Sequence, residues 1–183
     1  MRNMTILIFC ISMLVIAYSI FSSKIQTDLP LETLLEKSAQ YVGAPYPHNL
    51  GFYGKGIKIA IIDTGVDSEH PDLNERIIGG YDFINNDYIA EDTNGHGTAV
   101  AGIIAANGKL KGVAPEAKIL AYRVSDTGNS VSSDLIVQAI HKSVEDGADI
   151  INLSLGVNRT NNKIEDAIND AIKKGVLVVV ADR

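Results

Sequence analysis

The stretch Ile57 to Val66, I-K-I-A-I-I-D-T-G-V, determines how the rest of this chain can fold. Every residue from Ile57 to Ile62 is apolar except Lys58, which predicts a strand buried on both faces in the middle of a parallel sheet. Asp63 lies where that strand ends. Because open α/β sheets place their ligands and chemistry at the carboxyl ends of parallel strands, Asp63 is a candidate functional residue.

The rest of the chain alternates between strand and helix patterns. Further strands are predicted at Arg76–Phe83, Ala117–Val124, Asp149–Leu153 and Val176–Ala181. Helices are predicted at Thr98–Ala106, from a cap at Ser132 or Ser133 to near Gly147, and at Ile164–Ile172 with Gly175 as the stop. This alternation implies right-handed crossovers and an α/β fold, in which helices cover both faces of a parallel sheet.

A second motif supplies a partner for the Asp63 carboxylate. Asn94-Gly95-His96-Gly97-Thr98 opens onto the run of small and aliphatic residues that predicts a tightly packed helix. A histidine at the start of such a helix, facing an aspartate at a strand end, forms an oriented general base. The carboxylate accepts the Nδ1 proton and stabilises the imidazolium, so that Nε2 takes a proton from a nucleophile. Two thirds of a catalytic triad are thereby predicted.

At these residues the chain resembles the subtilisin-like serine proteases. I-I-D-T-G-V-D followed by H-P-D-L is similar to the aspartate motif of the family, and N-G-H-G-T-A-V-A-G is similar to its histidine motif. G-V-A-P at Gly112–Pro115 and N-L-S-L-G at Asn152–Gly156 extend the resemblance over roughly Val42 to Ala181. Asp63 also precedes His96, as the family order of Asp, His and Ser requires. The resemblance implies a serine endopeptidase with a three-layer parallel sheet, incomplete at the carboxyl terminus.

The resemblance also implies two peptide-binding segments. Gly128-Asn129-Ser130 and Ser154-Leu155-Gly156 each follow a predicted strand, and in the family these backbones flank the bound peptide as extra strands. The implied partner is a peptide or protein substrate. Without the family, Gly128 to Ser133 is typical of a polar turn and a helix cap, so the binding role depends on the resemblance.

The family's nucleophile has no counterpart in these residues. After the strand Val176–Ala181 the family continues into a turn that ends in Gly-Asn, whose amide donates to the oxyanion, whereas this sequence reads Ala181-Asp182-Arg183. Ser154 has no helix of small residues after it. We therefore expect a truncated chain that is inactive alone, because loss of the serine costs subtilisin about 10⁶ in turnover. The apolar strand edge at Val176–Ala181 further predicts that the chain does not fold independently.

No metal or other cofactor is predicted. Asp72, in H-P-D-L, aligns with a calcium-ligand position of many family members. The loop Asn107–Lys111 is short and carries two lysines, however, whereas Ca²⁺ requires several oxygen ligands. We expect no calcium there and predict that Asp72 is an exposed turn acid. His48, His70 and His141 lack a supporting motif and are predicted to lie on the surface.

Composition excludes some partners and cysteine chemistry. The net charge of −6 gives no basic surface for nucleic acid. The single cysteine, Cys10, rules out an internal disulfide and a cysteine-based metal cluster.

The amino terminus predicts export. Met4 to Phe21 is uncharged and lies between Arg2 and Lys24, which is typical of a signal peptide with a cleavage site near Ala17-Tyr18-Ser19, or of a retained membrane anchor. Residues 1–23 are therefore assigned to a signal or anchor, 24–41 to a short linker or helix, and 42–183 to the amino-terminal part of a peptidase domain. The domain is expected to be secreted, or anchored on the outer side of the membrane.

Two other classes of function stay open. The chain could be a non-catalytic peptide-binding fragment, or a pseudogene product, that uses the segments 128–130 and 154–156 without chemistry. An aspartic protease built on Asp63-Thr64-Gly65 would need a second D-T-G or a symmetric dimer on an all-β scaffold. The helical periodicities argue against that scaffold.

Overall fold

A parallel sheet organises the chain in the computed structural model, which describes residues 38–127, 131–155 and 162–181. Within these ranges the sheet has five strands, in the order β2-β3-β1-β4-β5, and all neighbours are parallel. The strands are β1 (Lys58–Asp63), β2 (Ile77–Asp82), β3 (Lys118–Arg123), β4 (Ile150–Leu153) and β5 (Leu177–Val180). The predicted α/β fold is confirmed, and β1 is the central strand.

Helices cover both faces of this sheet. Beside the helical residues 38–41, the described part of the chain forms α1 (Pro45–Asn49), α2 (His96–Ala105), α3 (Ser133–Glu145) and α4 (Asn162–Lys173). Helix α2 packs against β1 and β3, while α3 and α4 pack against each other and against β1 and β5 respectively. Ser132 is the N-cap of α3, but its side chain makes no capping hydrogen bond.

The alternation of side chains along β1 divides the core into two clusters. Ile59 and Ile61 are fully buried in a cluster that includes residues of α2, and Ala60 and Ile62 are fully buried in a cluster that includes residues of α3 and α4. Because successive side chains of a strand point to opposite faces, Asp63 continues the row of Ile59 and Ile61. The carboxylate therefore lies on the face of the sheet that α2 covers.

The two outer strands each expose a large apolar side chain. Among the described residues β2 and β5 form the edges, and Ile78 and Val180 are 49% and 43% exposed. The apolar edge predicted at Val176–Ala181 is thus present in β5. Whether the chain folds by itself stays a prediction.

Two of the histidines predicted to lie on the surface are half-buried instead. The Nε2 of His48 lies 2.9 Å from the carbonyl oxygen of Val113, and its ring stacks on Tyr53. The Nδ1 of His70 accepts the backbone N–H of Asp72. The surface prediction is wrong for these two and confirmed for His141.

The predicted signal or anchor at residues 1–23 lies outside the described residues. Residues 38–41 are helical, which agrees with the end of the predicted linker helix. A search of the described part of the chain for a helix long and apolar enough to cross a membrane finds none.

Candidate active site

Asp63 and His96 meet at the carboxyl end of the sheet. Asp63 is the last residue of β1 and its side chain is fully buried, while His96 is the first residue of α2 and its side chain is 24% exposed. The Nδ1 of His96 lies 2.7 Å from the Oδ1 of Asp63. The N–H of Thr64 donates to the same carboxylate oxygen at 2.7 Å. The structure therefore brings together the two side chains that the motifs predict as acid and base.

Glycines make this close approach possible. Gly65 has a φ of 102° and turns the chain away from β1, and Gly95 has a φ of 97° at the N-cap of α2. Gly97 packs so tightly that a Cβ would lie 2.0 Å from the carbonyl oxygen of Gly65 and 3.2 Å from the Oδ1 of Asp63. A side chain at Gly97 would therefore separate the first turn of α2 from the end of β1.

The electrostatics of the pair favour a protonated imidazole. The hydrogen bond with Asp63 raises the pKa of His96; burial opposes the rise, and the charges of Asp63 and Asp92 reinforce it. A histidine held at Nδ1 by a carboxylate exchanges protons through Nε2. The arrangement can thus serve as a general base that becomes a general acid once it is protonated.

No sequence motif points to Asp92, yet its carboxylate organises the turn before His96. Oδ1 accepts the N–H groups of Asn94 and Gly95, both at 2.9 Å, and Oδ2 accepts the N–H and the hydroxyl of Thr98. An acid shortly before a helix, in a position to accept its first N–H groups, is the sequence signal that could have found it.

Arg123 is a second buried charge at the carboxyl end of the sheet. It ends β3, pairs in register with Asp63 on one side and Asp82 on the other, and is 7% exposed. Its guanidinium donates to Asp82 at 2.6 Å, to Thr93 at 3.4 Å and to Asp126. Arg123 therefore connects the end of β2, the loop before His96 and the loop after β3. An arginine directly after the apolar run Ile119–Tyr122 was the available signal.

The predicted peptide-binding segments are only partly visible. Gly128, Asn129, Ser130 and Gly156 lie outside the described residues. Ser154 and Leu155 directly follow β4, in which Leu153 pairs with Ile62 of β1. Ser154 therefore lies at the level of Asp63, and its hydroxyl accepts the side-chain N–H of Asn152 at 2.8 Å. Leu155 is buried as a whole residue, and Ser154 is the more exposed of the two.

The prediction that Asp72 is an exposed turn acid is wrong. Asp72 is only 9% exposed, and its two carboxylate oxygens accept the backbone N–H groups of Lys109 and Leu110 at 2.9 and 3.1 Å. These donors occupy acceptor positions on the carboxylate that a Ca²⁺ ion would also use. Within the described ranges, no group of three or more His, Cys, Asp or Glu side chains is placed to hold a metal.

Comparison with known proteins identifies one family. The model of the subtilase family, Peptidase_S8, matches residues 54–182. The chain is 44% identical over 162 residues to the minor extracellular protease Vpr of Bacillus subtilis, covering 81% of this chain and 20% of Vpr. It is 45% identical over 132 residues to thermitase of Thermoactinomyces vulgaris, covering 70% of this chain and 47% of thermitase.

The chain is also similar to an intracellular protease and to a solved structure. The chain is 43% identical over 155 residues to the major intracellular serine protease of Bacillus subtilis, covering 80% of this chain and 49% of that protein. A crystal structure of a cold adapted subtilisin-like serine proteinase superposes with a TM-score of 0.65 at 32% identity, covering 70% of this chain and 47% of that chain. The chain thus spans less than half the length of each of these relatives.

Proposed function

Because this chain belongs to the subtilase family of serine proteases, we propose that Asp63 and His96 are the acid and base of an Asp-His-Ser triad that hydrolyses peptide bonds. The observation that carries the proposal is the 2.7 Å contact between the Nδ1 of His96 and the Oδ1 of the buried Asp63. We further propose that a polypeptide of these 183 residues alone is inactive. None of its serines lies in a context similar to the family's nucleophile motif.

In the proposed reaction the serine is supplied by a segment outside residues 1–183. Nε2 of His96 takes the hydroxyl proton as the serine oxygen attacks the peptide carbonyl carbon, while Asp63 holds Nδ1 and stabilises the imidazolium. The imidazolium then donates that proton to the leaving amine, which breaks the carbon–nitrogen bond and leaves an acyl-enzyme. Water attacks the acyl-enzyme by the same proton route and releases the acid.

A peptide or protein is the proposed substrate. The backbones of 128–130 and 154–156 would hold it as an added strand, since main-chain hydrogen bonds bind many sequences. The position of Ser154 at the level of Asp63 supports this placement, because β4 and β1 share one register. We also propose that no metal cofactor takes part at Asp72, in view of the backbone donors that its carboxylate accepts.

We propose export for the protein. The support is the uncharged run from Met4 to Phe21, which is typical of a signal peptide or an anchor. The relatives do not decide the question, since one is named as extracellular and another as intracellular.

A chimera tests the triad. Residues 42–181 would be joined to the carboxyl-terminal remainder of a subtilisin-like relative that carries the serine, and peptide hydrolysis would be measured. We expect activity that falls by about 10⁶-fold in His96→Ala and by about 10⁴-fold in Asp63→Asn, the losses that subtilisin shows at the corresponding groups. His141→Ala, an exposed histidine on α3, is the matched control and should leave turnover unchanged. Full activity of the His96→Ala chimera would refute the proposal.

The proposed inactivity of the 183 residues has a separate test. A fluorophosphonate probe labels only an activated serine, so the purified polypeptide should remain unlabelled. Labelling would refute inactivity, while peptide binding without labelling would favour the non-catalytic peptide-binding role. The aspartic protease alternative loses its required all-β scaffold, because the sheet is parallel and covered by helices.

A further inference from the structure

We propose that Asp92 is a positioning residue that holds His96 against Asp63 by locking the first turn of α2 to the residue that follows β1. The inference rests on the proposed role of Asp63 and His96, and it concerns how that pair is kept in place. Asp92 acts on the pair through Thr64, Gly97 and Thr98.

The Thr64 hydroxyl is the central link. Its Oγ1 donates to the Oδ1 of Asp92 at 2.9 Å and accepts the N–H of Gly97 at 3.0 Å. Thr64 follows Asp63 and Gly97 follows His96, so the residue after each member of the pair is bonded to the residue after the other. A hydroxyl has one proton to donate, and Asp92 fixes where that proton points. The oxygen lone pairs of Thr64 are thereby directed at Gly97.

The second carboxylate oxygen of Asp92 fixes the same turn from the other side. Oδ2 accepts the N–H of Thr98 at 2.9 Å and its hydroxyl at 2.6 Å. The Thr98 hydroxyl oxygen in turn accepts the N–H of Asp67 at 2.9 Å. Two hydrogen bonds, from the N–H of Gly97 to Thr64 and from the N–H of Asp67 to Thr98, therefore connect the turn after β1 to the first turn of α2. Asp92 accepts the hydroxyls of both threonines and so orients both connections.

Asp92 is charged in this setting. Burial acts to raise its pKa, but the hydrogen bonds from Thr98, Gly95 and Asn94 together lower the pKa below its ordinary value. Bonds to a charged acceptor are the stronger class of hydrogen bond, and low local dielectric strengthens a satisfied network. Thr64 is fully buried, so water does not replace its partners.

In the part of the chain that the structure describes, Asp63 and Asp92 are the two charged groups that raise the pKa of the His96 imidazole. Both carboxylates raise the pKa of His96, and Asp63 has the larger effect. Among the neighbouring charged groups, Arg123 of β3 is paired with Asp82 of β2 and with Asp126, and the Glu91 carboxylate accepts the hydroxyl of Ser68. Asp67 accepts the N–H of Glu69. Removal of the Asp92 charge should therefore be felt at His96.

The test is nuclear magnetic resonance of the chimera that carries residues 42–181, with its serine replaced by alanine, which supplies the remainder of the fold and needs no turnover. The titration midpoint of His96 and the hydrogen-bonded Nδ1 proton are followed in wild type, Asp92→Asn and Asp87→Asn. Asp87→Asn removes the same charge from the same loop, but Asp87 contacts neither Thr64 nor α2; its carboxylate accepts the N–H of Ile89. His141 serves as an internal reference.

We expect Asp92→Asn to lower the titration midpoint of His96 and to speed exchange of its Nδ1 proton with solvent, with His141 unchanged and Asp87→Asn like wild type. The exchange should accelerate roughly fivefold, which corresponds to the loss of a hydrogen bond of about 1 kcal/mol. A midpoint and an exchange rate equal to those of wild type would overturn the proposal.

A pair of Thr64 variants covers the case in which Asp92→Asn does not fold. Thr64→Val removes the hydroxyl but keeps every charge, and Thr64→Ser restores the hydroxyl. We expect faster Nδ1 exchange in Thr64→Val and rescue in Thr64→Ser, and equal rates in both would overturn the proposal. The resonance measurements and the hydrolysis measurements test different claims. If the serine-containing chimera is inactive but the His96 exchange rate changes in the variants, the triad is rejected and the positioning role is kept. If the chimera is active but the exchange rate does not change, the triad is kept and the positioning role is rejected.

Discussion

Gly97 packs against Gly65 so closely that a Cβ on Gly97 would lie 2.0 Å from the carbonyl oxygen of Gly65. The contact is with backbone, which cannot move aside as the end of a flexible side chain could. We predict that Gly97→Ala lowers the free energy of unfolding by about 1–3 kcal/mol, the usual cost of overpacking, and displaces His96 from Asp63. Urea denaturation measures the first effect, and the Nδ1 proton of His96 reports the second.

Gly102 is the matched control for this substitution. It lies in the same helix, and a Cβ there would meet no atom within 4 Å. Gly102→Ala should therefore stabilise the protein by about 0.5–1 kcal/mol, because alanine loses less conformational entropy than glycine in a helix. Equal effects of the two substitutions would show that the approach of Gly97 to Gly65 is not tight in solution.

The Asp63–His96 pair should give stability a definite dependence on pH. The folded pKa of His96 is raised above its ordinary value, with the Asp63 hydrogen bond as the main cause. Such a group contributes stability that is fully present below the unfolded pKa, near 6.5, and is lost as pH rises through the folded pKa. The difference in unfolding free energy between wild type and Asp63→Asn should therefore be larger at about pH 6 than at about pH 9. A difference that grows with pH would contradict the pairing.

The strands and the pair were accessible to sequence reasoning for a simple reason. A central parallel strand is buried on both faces, so Ile57 to Ile62 is a continuous apolar run, and Asp63 marks its end. His96 is flanked by Gly95, whose φ of 97° favours glycine, and by Gly97, whose packing against Gly65 leaves no room for a Cβ. In both cases the information lies within a few consecutive residues.

Asp92 and Asp72 were not accessible in the same way. Most of their partners are backbone N–H groups, which every residue type except proline presents, so these partners leave no mark on the sequence. The one local signal was the position of Asp92 shortly before a helix. The partners of Asp72 are Lys109 and Leu110, which follow it by 37 and 38 residues. The loop that contains Lys109 and Leu110 reaches the turn at Asp72 only in the folded chain. For this reason Asp72 was predicted to be exposed although it is buried.

Asp72 should therefore contribute to stability as a structural acceptor. Asp72→Ala removes the acceptor of two partly buried N–H groups, and we predict a loss of about 1–3 kcal/mol in the free energy of unfolding. Glu69→Ala is the matched control, since Glu69 is an exposed acid in the same turn and should change stability by no more than about 0.5 kcal/mol. If thermal or urea melts gave Asp72→Ala and Glu69→Ala the same loss in the free energy of unfolding, the two hydrogen bonds of Asp72 would add nothing to the effect of its charge.

The same carboxylate gives a prediction for calcium. Both of its oxygens already accept N–H groups, so added Ca²⁺ has no favourable site at Asp72. The melting temperature should be the same with excess EDTA as with millimolar Ca²⁺, because a ligand that binds the folded state would raise it. A rise with Ca²⁺ that disappears in Asp72→Ala would show that the loop rearranges to bind the ion.

Tyr122 provides a final prediction on the opposite face of the sheet. Its side chain is fully buried in the cluster with α3, and its hydroxyl donates to the Oδ2 of Asp146 at 2.7 Å, while Lys142 donates to Oδ1. Burial raises the pKa of Tyr122, so the hydroxyl stays a donor across the accessible pH range. Tyr122→Phe should cost about 1–2 kcal/mol, since a charged acceptor loses one of its partners. Tyr81→Phe removes a hydroxyl bonded to Asn86 at an exposed site and should cost about 0.5 kcal/mol or less. If the two variants unfold at the same urea concentration, the Tyr122 hydrogen bond contributes nothing beyond a surface contact.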